Sequence, residues 1–320
     1  MTIVRFGYHY SKFHYDPDEG LFESVKRRAN QFEEHGFEFL SFTDHMWQAP
    51  PVGQRDDDTL DAYSALAATA AVTEELTLSP MVTAVQYRNP AMVGRMIANI
   101  DVISRGRVVF GIGAGWYEEE YDAYGYEYPD AATRVSQVED ATRLLKALWT
   151  RDSPVTYEGE HYDVEDAYLD PKPRQNPHPP ILIGGGGEQL TLRVVAKHAD
   201  WWNTPWLSHE LYEAKLNVLR DHCEAVGRAY GDIRKSAVDM VVVRDSEAAA
   251  HEAYERLMAE SAWGYPDRDE YRGAIGTPES VAEHVREFGE LGADLYIFEA
   301  PRNDAETIDR FVNEVVPLVE

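Results

Sequence analysis

Residues 76–112, LTLSPMVTAVQYRNPAMVGRMIANIDVISRGRVVFGI, hold one complete unit of the fold. A β-type run, Leu76 to Val82, is followed by a segment of helical period from Pro90 to Ser104 and by a second β-type run, Arg107 to Ile112. Asn89 before Pro90 is a capping side chain ahead of a proline at the first helical position, where the missing N–H has no partner to lose. Outward from this unit the same rhythm repeats. Strands are expected at Ile3 to Tyr8, Phe37 to Thr43, Ile181 to Gly184, Trp201 to Asn203, Ser236 to Val243 and Leu295 to Phe298, eight in all with the two above. Between them come helices at about Leu21 to His35, Ala62 to Thr73, Arg134 to Leu148, Gln189 to His198, Ser208 to Ala225, Ser246 to Ser261 and Pro278 to Leu291. Gly36 closes the first helix, Thr277-Pro278 opens a later one, and a last helix is expected over Asp304 to Leu318.

Strands alternating with helices imply an α/β protein with a parallel sheet, and a count of eight favours closure into a (β/α)8 TIM barrel. The length of 320 residues suits one such domain over 1–320. The break in rhythm is an insertion between strands 4 and 5, about 152–180, where Tyr157 to Tyr162 reads as a hairpin and PKPRQNPHPP follows. It is expected to cap one end of the barrel.

Thirty Lys and Arg stand against 57 Asp and Glu, a net charge of −27. Such a surface repels nucleic acid and anionic lipid, so the expected partner is a small-molecule substrate. No apolar run approaches the roughly 20 residues that span a bilayer, and the start, MTIVRFGYHYSKF, lacks the succession of a secretory signal, which points to the cytoplasm. Cys223 is the single cysteine, so no intrachain disulfide and no cysteine-rich metal site can form. The histidines are scattered singly, without H-x-x-H or H-E-x-x-H spacing, and no metal is expected.

In a barrel the ligand sits at the C-terminal ends of the strands. After the second strand come Thr43, Asp44, His45, Met46 and Trp47, with an imidazole suited to proton transfer near neutral pH. Pro80 lies inside a run otherwise patterned as a buried strand, so a bulge is expected around Ser79, Pro80, Met81 and Thr83. After the fourth strand, Gly111-Ile112-Gly113-Ala114-Gly115 lacks the spacing of the dinucleotide fingerprint; its reading is a backbone that a planar ligand can approach, with Trp116 and Tyr117 to pack on it. After the fifth, Gly184-Gly185-Gly186-Gly187 opens a helix carrying Thr191 and Arg193, an anion nest in which successive N–H groups converge on a phosphate. No G-x-S-x-G elbow is present.

With TDHMW at 43–47, the run from Met81 to Gly125 and that from Pro171 to Asn203, nearly the whole chain resembles the luciferase-like monooxygenase superfamily, and more narrowly its coenzyme F420 (deazaflavin) branch. The resemblance implies a homodimer of barrels and a cofactor ring held at the strand ends, against Asp44, Ser79, Pro80, Met81, Thr83, Gly113, Ala114, Gly115 and Trp116. Its phosphate would rest on Gly185, Gly186, Gly187 and Thr191. It also implies a cis peptide at the bulge, either before Pro80 or joining Pro80 to Met81. His45 and Trp47 correspond to the residues that act at the reacting alcohol. The acidic residue of the family's sugar-phosphate dehydrogenases falls on Trp116 and their basic phosphate ligand falls near Ser208, which argues against a sugar-phosphate substrate.

The expected function is hydride transfer between F420 and a small organic substrate, with His45 moving the proton and Trp47, Trp116, Trp202 and Trp206 walling an apolar space. An FMN-dependent monooxygenase of the same fold is the nearest alternative, and a non-catalytic cofactor-binding protein a more distant one. Arg88, Arg95 and Arg193 are candidates for a basic path that would favour the longer deazaflavin tail.

The acidic, lysine-poor composition has a halophilic character. Near 1 M salt the Debye length falls to about 3 Å, which removes most of the self-repulsion. The melting temperature is expected to rise from dilute buffer to molar KCl, and an unchanged value would refute the reading.

Overall fold

The computed structural model describes residues 4–48, 53–259 and 273–320. Its eight parallel strands close into the expected barrel. They are Arg5–Tyr10, Phe39–Phe42, Thr77–Pro80 continued by Thr83–Ala84, Phe110–Gly113, Ile181–Gly184, Trp201–Pro205, Arg234–Val243 and Leu295–Glu299. Each pairs with its successor, and the eighth returns to the first in the register Arg5 to Leu295 through Tyr8 to Phe298. The joint between the third and fourth is made in two places. Leu78 donates to the Arg107 carbonyl and accepts from Val109, and beyond the bulge Thr83 pairs with Ile112.

The barrel interior is a packed plug of Phe39, Met81, Val109, Leu182, Val238, Leu295 and Ile297. Most of the remaining apolar side chains fill the layer between strands and helices. The helices take the chain back to the next strand, and their starts follow the capping logic: Asn89 accepts from the Ala91 and Met92 N–H groups, Asp130 from Ala132 and Thr133, and Thr277 from Ser280. Among the described residues no helix is long and apolar enough to cross a membrane.

Several elements differ from expectation. Ile3 lies outside the described residues, and the first strand runs on to Tyr10. A short helix, Glu118–Tyr124, and a three-residue strand, Ala274–Gly276, that pairs with the end of the seventh strand were not foreseen. The helix expected over Ser246 to Ser261 is Glu247–Met258, with 260 and 261 outside the described residues. The last helix is interrupted: Ala305–Arg310 passes into a π turn, Phe311–Val315, before Val316–Val319. Pro317 has no N–H for the carbonyl one turn earlier, so the ladder widens ahead of it.

Val155–Glu158 and Asp163–Ala167 form an antiparallel hairpin. Asp140, on the helix Ala131–Thr150, accepts from the Tyr157 hydroxyl at 2.6 Å and from the His161 and Tyr162 N–H groups at 2.7 and 3.0 Å, which ties the hairpin to that helix's flank. The proline-rich stretch then runs along the N-terminal end of the barrel, where Gln175 Nε2 donates to the Val108 carbonyl at 2.7 Å. At the same end Arg234 grips Glu38 with both guanidinium arms and lies over the Trp201 ring.

Gly111 shows how the bulge constrains its neighbour. A Cβ placed there would overlap the Pro80 carbonyl oxygen, a backbone atom that has nowhere to move. Gly111→Ala is expected to lower the free energy of unfolding in urea by about 1–3 kcal/mol, the range for overpacking a close-packed site. Gly231→Ala, where an added Cβ meets nothing within 4 Å, is the control; equal effects would refute the account.

Candidate active site

The C-terminal ends of the strands surround a cavity of about 500 Å³. Asp44, His45, Met81, Gly113, Ala114, Gly115, Trp116, Gly185, Gly186, Gly187 and Thr191, expected from four separate segments, all line it. Ser79, Pro80, Thr83 and Trp47 are not among its lining residues.

Their placement has physical reasons. The third strand stays extended through Pro80, which pairs with Phe42, and Met81 still donates to the Phe42 carbonyl at 2.9 Å. The break comes later, at a cis peptide joining Met81 to Val82, one bond beyond Pro80–Met81 and two beyond Ser79–Pro80, the positions expected for it. Met81, Val82 and Ala84 therefore supply the wall. Ser79 turns back to donate to the Pro80 carbonyl, and Thr83 pairs with the Tyr63 hydroxyl at 2.8 Å. Trp47 packs against Tyr117 and Tyr124 beneath the Arg55 guanidinium, so its expected role at the reacting group does not fit its position. Of the other tryptophans, Trp116 and Trp206 face the cavity, whereas Trp202 is fully buried and donates from Nε1 to the Gly185 carbonyl at 2.9 Å, bracing the nest from behind.

The glycines after the fourth strand also read differently in place. A Cβ at Gly113 would come within 2.7 Å of Val82 Cγ2, and one at Gly184 within 2.9 Å of Val82 Cγ1. Val82 is thus clasped between two glycines. At Gly115, with φ of 71°, an added Cβ would collide with the Tyr121 hydroxyl. These glycines make room for protein atoms first, and the smooth wall facing the cavity is a result.

The nest is open. Gly185 donates to the Asn203 carbonyl, but among the described residues the N–H groups of Gly186, Gly187 and Glu188 have no protein acceptor. The helix beyond, Thr191–His198, receives no side-chain cap from Leu190, which leaves its positive end available. Lys215 stands beside Gly186 and pairs with Glu188 at 2.7 Å. This cation was missed because it lies mid-helix, far along the chain. The proposed basic residues lie elsewhere: Arg88 is held by Asp44 and Asp61, Arg95 donates to the Tyr168 and Asp170 carbonyls, and Arg193 is not in the cavity wall.

His45 has a partner that the sequence reading also missed. Its Nδ1 is 2.7 Å from Oε2 of Glu120, a side chain with no solvent exposure. The same carboxylate accepts from the Tyr87 hydroxyl at 2.6 Å and from the backbone N–H groups of Met46 and Trp47. Because the carboxylate can only accept, the hydrogen of a neutral His45 sits on Nδ1, and Nε2 is the atom left to exchange a proton. Trp116 meets the imidazole edge-on at 5.7 Å. The available signal was the spacing of Tyr117, Glu120 and Tyr121, which all face inward on one side of a helical turn.

Burial pushes the Glu120 carboxyl upward, but the hydrogen bond and charge of His45, the Tyr87 hydroxyl and the Met46 N–H outweigh it and hold it below the usual carboxylate value of 4.5. A depressed value stabilises the fold above the unfolded-state pKa and is lost as pH falls through the folded one. From about pH 5 downward the wild type is expected to lose stability more steeply than Glu120→Gln, which is less stable at neutral pH. Urea midpoints measured across that range check this, and parallel curves would refute it.

The luciferase-like monooxygenase family model matches residues 5–295. The chain is 28% identical to the F420-dependent glucose-6-phosphate dehydrogenase of Microbacterium testaceum, over 99% of this chain and 97% of that protein. It is 26% identical to the FMNH2-dependent dimethylsulfone monooxygenase of Pseudomonas putida, over 92% and 87% respectively. In structure it is similar to an F420-dependent secondary alcohol dehydrogenase in complex with an F420-acetone adduct, with a TM-score of 0.81 and 20% identity over 99% of both chains. By the span of that family match, this chain belongs to the luciferase-like monooxygenase family.

Proposed function

We propose that this protein is an oxidoreductase that transfers a hydride between F420 and a small organic substrate, with His45 carrying the accompanying proton. The observation that supports it most is one cavity joining an open phosphate nest to an imidazole locked on a buried carboxylate. Gly185, Gly186, Gly187 and Thr191, with Lys215 beside them, would hold the cofactor phosphate. Asp44, Met81, Val82, Ala84 and Gly113 to Gly115 would line its ring. When bound, F420 supplies a two-electron hydride donor or acceptor.

The residues of the chain then do the rest. Glu120 fixes the orientation and tautomer of His45, so Nε2 can take the hydroxyl proton of an alcohol as hydride leaves its carbon, or return it to a carbonyl in the reverse direction. Arg88 pairs with Asp44 at 2.7 Å, which keeps a second, buried carboxylate at the mouth neutralised. Trp116, half exposed, and Trp206 narrow the entrance.

The kinship with the FMNH2-dependent enzyme supports a second reading, in which the same nest takes FMN and the reaction is a monooxygenation. Equilibrium titration with oxidised F420 and with FMN in molar KCl, followed by cofactor fluorescence, separates the two. The expected result is saturable F420 binding, with FMN at least about tenfold weaker. Preference for FMN favours the second reading, and binding of neither refutes both. His45→Ala is expected to reduce turnover by about 10²–10⁴-fold, with cofactor affinity unchanged. Retained turnover would exclude the proton-transfer role.

A further inference from the structure

The cavity wall carries a buried carboxylate, Glu299, that the proton transfer at His45 does not use. Glu299, the last residue of the eighth strand, lines the wall together with His9 of the first strand, Ser11 just beyond it and Trp206 from the loop after the sixth. Its carboxylate is buried, at 2% exposure. Oε1 accepts from Trp206 Nε1 at 2.8 Å, but Oε2 has no hydrogen-bond partner among the described residues. A buried acceptor left without a donor is unfavourable, and it becomes favourable when a ligand supplies one.

The neighbours do not fill that role. His9 is bonded through Nδ1 to Ser41, and burial, reinforced by the nearby His45, pushes it down to about 3, so it carries no charge at neutral pH. Burial holds the Glu299 carboxyl above its usual value, and the Ser11 hydroxyl, the Lys12 charge and the Trp206 indole offset this only in part; Ser11 stands near the carboxylate but is not in hydrogen-bond geometry with Oε2. Lys12 is itself buried and is not part of the cavity wall. From the neighbouring strands the wall also receives the apolar side chains of Pro205 and Val238.

We propose that Glu299 anchors the organic substrate, accepting on Oε2 an N–H or O–H donor from an uncharged or cationic molecule with an apolar body, and excluding carboxylates and phosphates. This deepens the reading of the cavity as a substrate site and rests on it. Glu299 and His45 line the same cavity, so a substrate anchored on Glu299 shares the space of the proton carrier.

Calorimetric titration of the full chain with benzylamine, benzyl alcohol and benzoate tests this, first without cofactor and then with whichever cofactor binds. Molar KCl screens the −27 net charge, so rejection of benzoate reports the local carboxylate. The expected result is binding of the amine and the alcohol, with benzoate at least about tenfold weaker. In Glu299→Gln that gap should close to within about threefold, because a carboxamide donates as readily as it accepts. Trp206→Phe should keep the gap, since it removes only the indole donor to Oε1. Both variants are first matched to wild type by circular dichroism and melting temperature. If Glu299→Gln fails that match, Trp206→Phe and the wild-type selectivity decide the question. Benzoate binding as tightly as benzyl alcohol, no binding of any probe, survival of the gap in Glu299→Gln or its loss in Trp206→Phe would each overturn the proposal. Failure of the cofactor titration overturns the hydride-transfer reading instead, and the cofactor-free arm still judges Glu299.

Discussion

A carboxylate wholly removed from water is tolerated only where donors converge on it, and the mouth of this barrel is organised around that requirement at Glu120. Four donors meet there: His45 Nδ1, the Tyr87 hydroxyl and the N–H groups of Met46 and Trp47. They come from the segments after the second and third strands, while Glu120 itself follows the fourth. One side chain therefore sets three neighbouring loops against each other. Loops with few internal hydrogen bonds normally drift; here each is held by a contact too costly to abandon in a dry site.

Space is as strictly allotted as charge. The third strand bends at Met81 and Val82, and its neighbours yield by losing side chains, Gly111 to the Pro80 carbonyl and Gly113 and Gly184 to the Val82 methyls; Gly115 makes room separately for the Tyr121 hydroxyl of the helix Glu118–Tyr124. The glycine run therefore carries no independent message about a ligand. It is the complement of an irregular strand beside it, and the flat wall facing the cavity follows from that packing.

These two features explain what could be read beforehand. The barrel was legible because alternating strand and helix periods are local properties, and the eight β-type runs of the sequence are its eight strands. Most of the cavity wall was legible for a related reason, since residues just past a strand end must lie at the mouth. Glu120 was hidden because it is the third of three consecutive glutamates in a chain with 57 acidic residues, where one more carboxylate carries no signal. Lys215 and Glu299 were hidden because nothing in the local sequence brings a mid-helix lysine to Gly186 or the end of the last strand to His9. Trp47 was misplaced for the opposite reason: it sits beside His45 in the chain, yet its ring turns to the aromatic cluster of Tyr117 and Tyr124. Adjacency in sequence does not fix the direction of a side chain in a loop.

The two ends of the barrel are built from different materials. At the end away from the cavity, Arg234 and Glu38 join strands whose residues lie 196 positions apart, and Gln175 pins the proline-rich stretch to the foot of the fourth strand. These groups line a hollow of their own at that end and take no part in the wall of the cavity at the mouth. A change of side chain at Trp116, Trp206 or Glu299 would therefore reshape the mouth while leaving the Arg234–Glu38 and Gln175–Val108 contacts at the far end untouched.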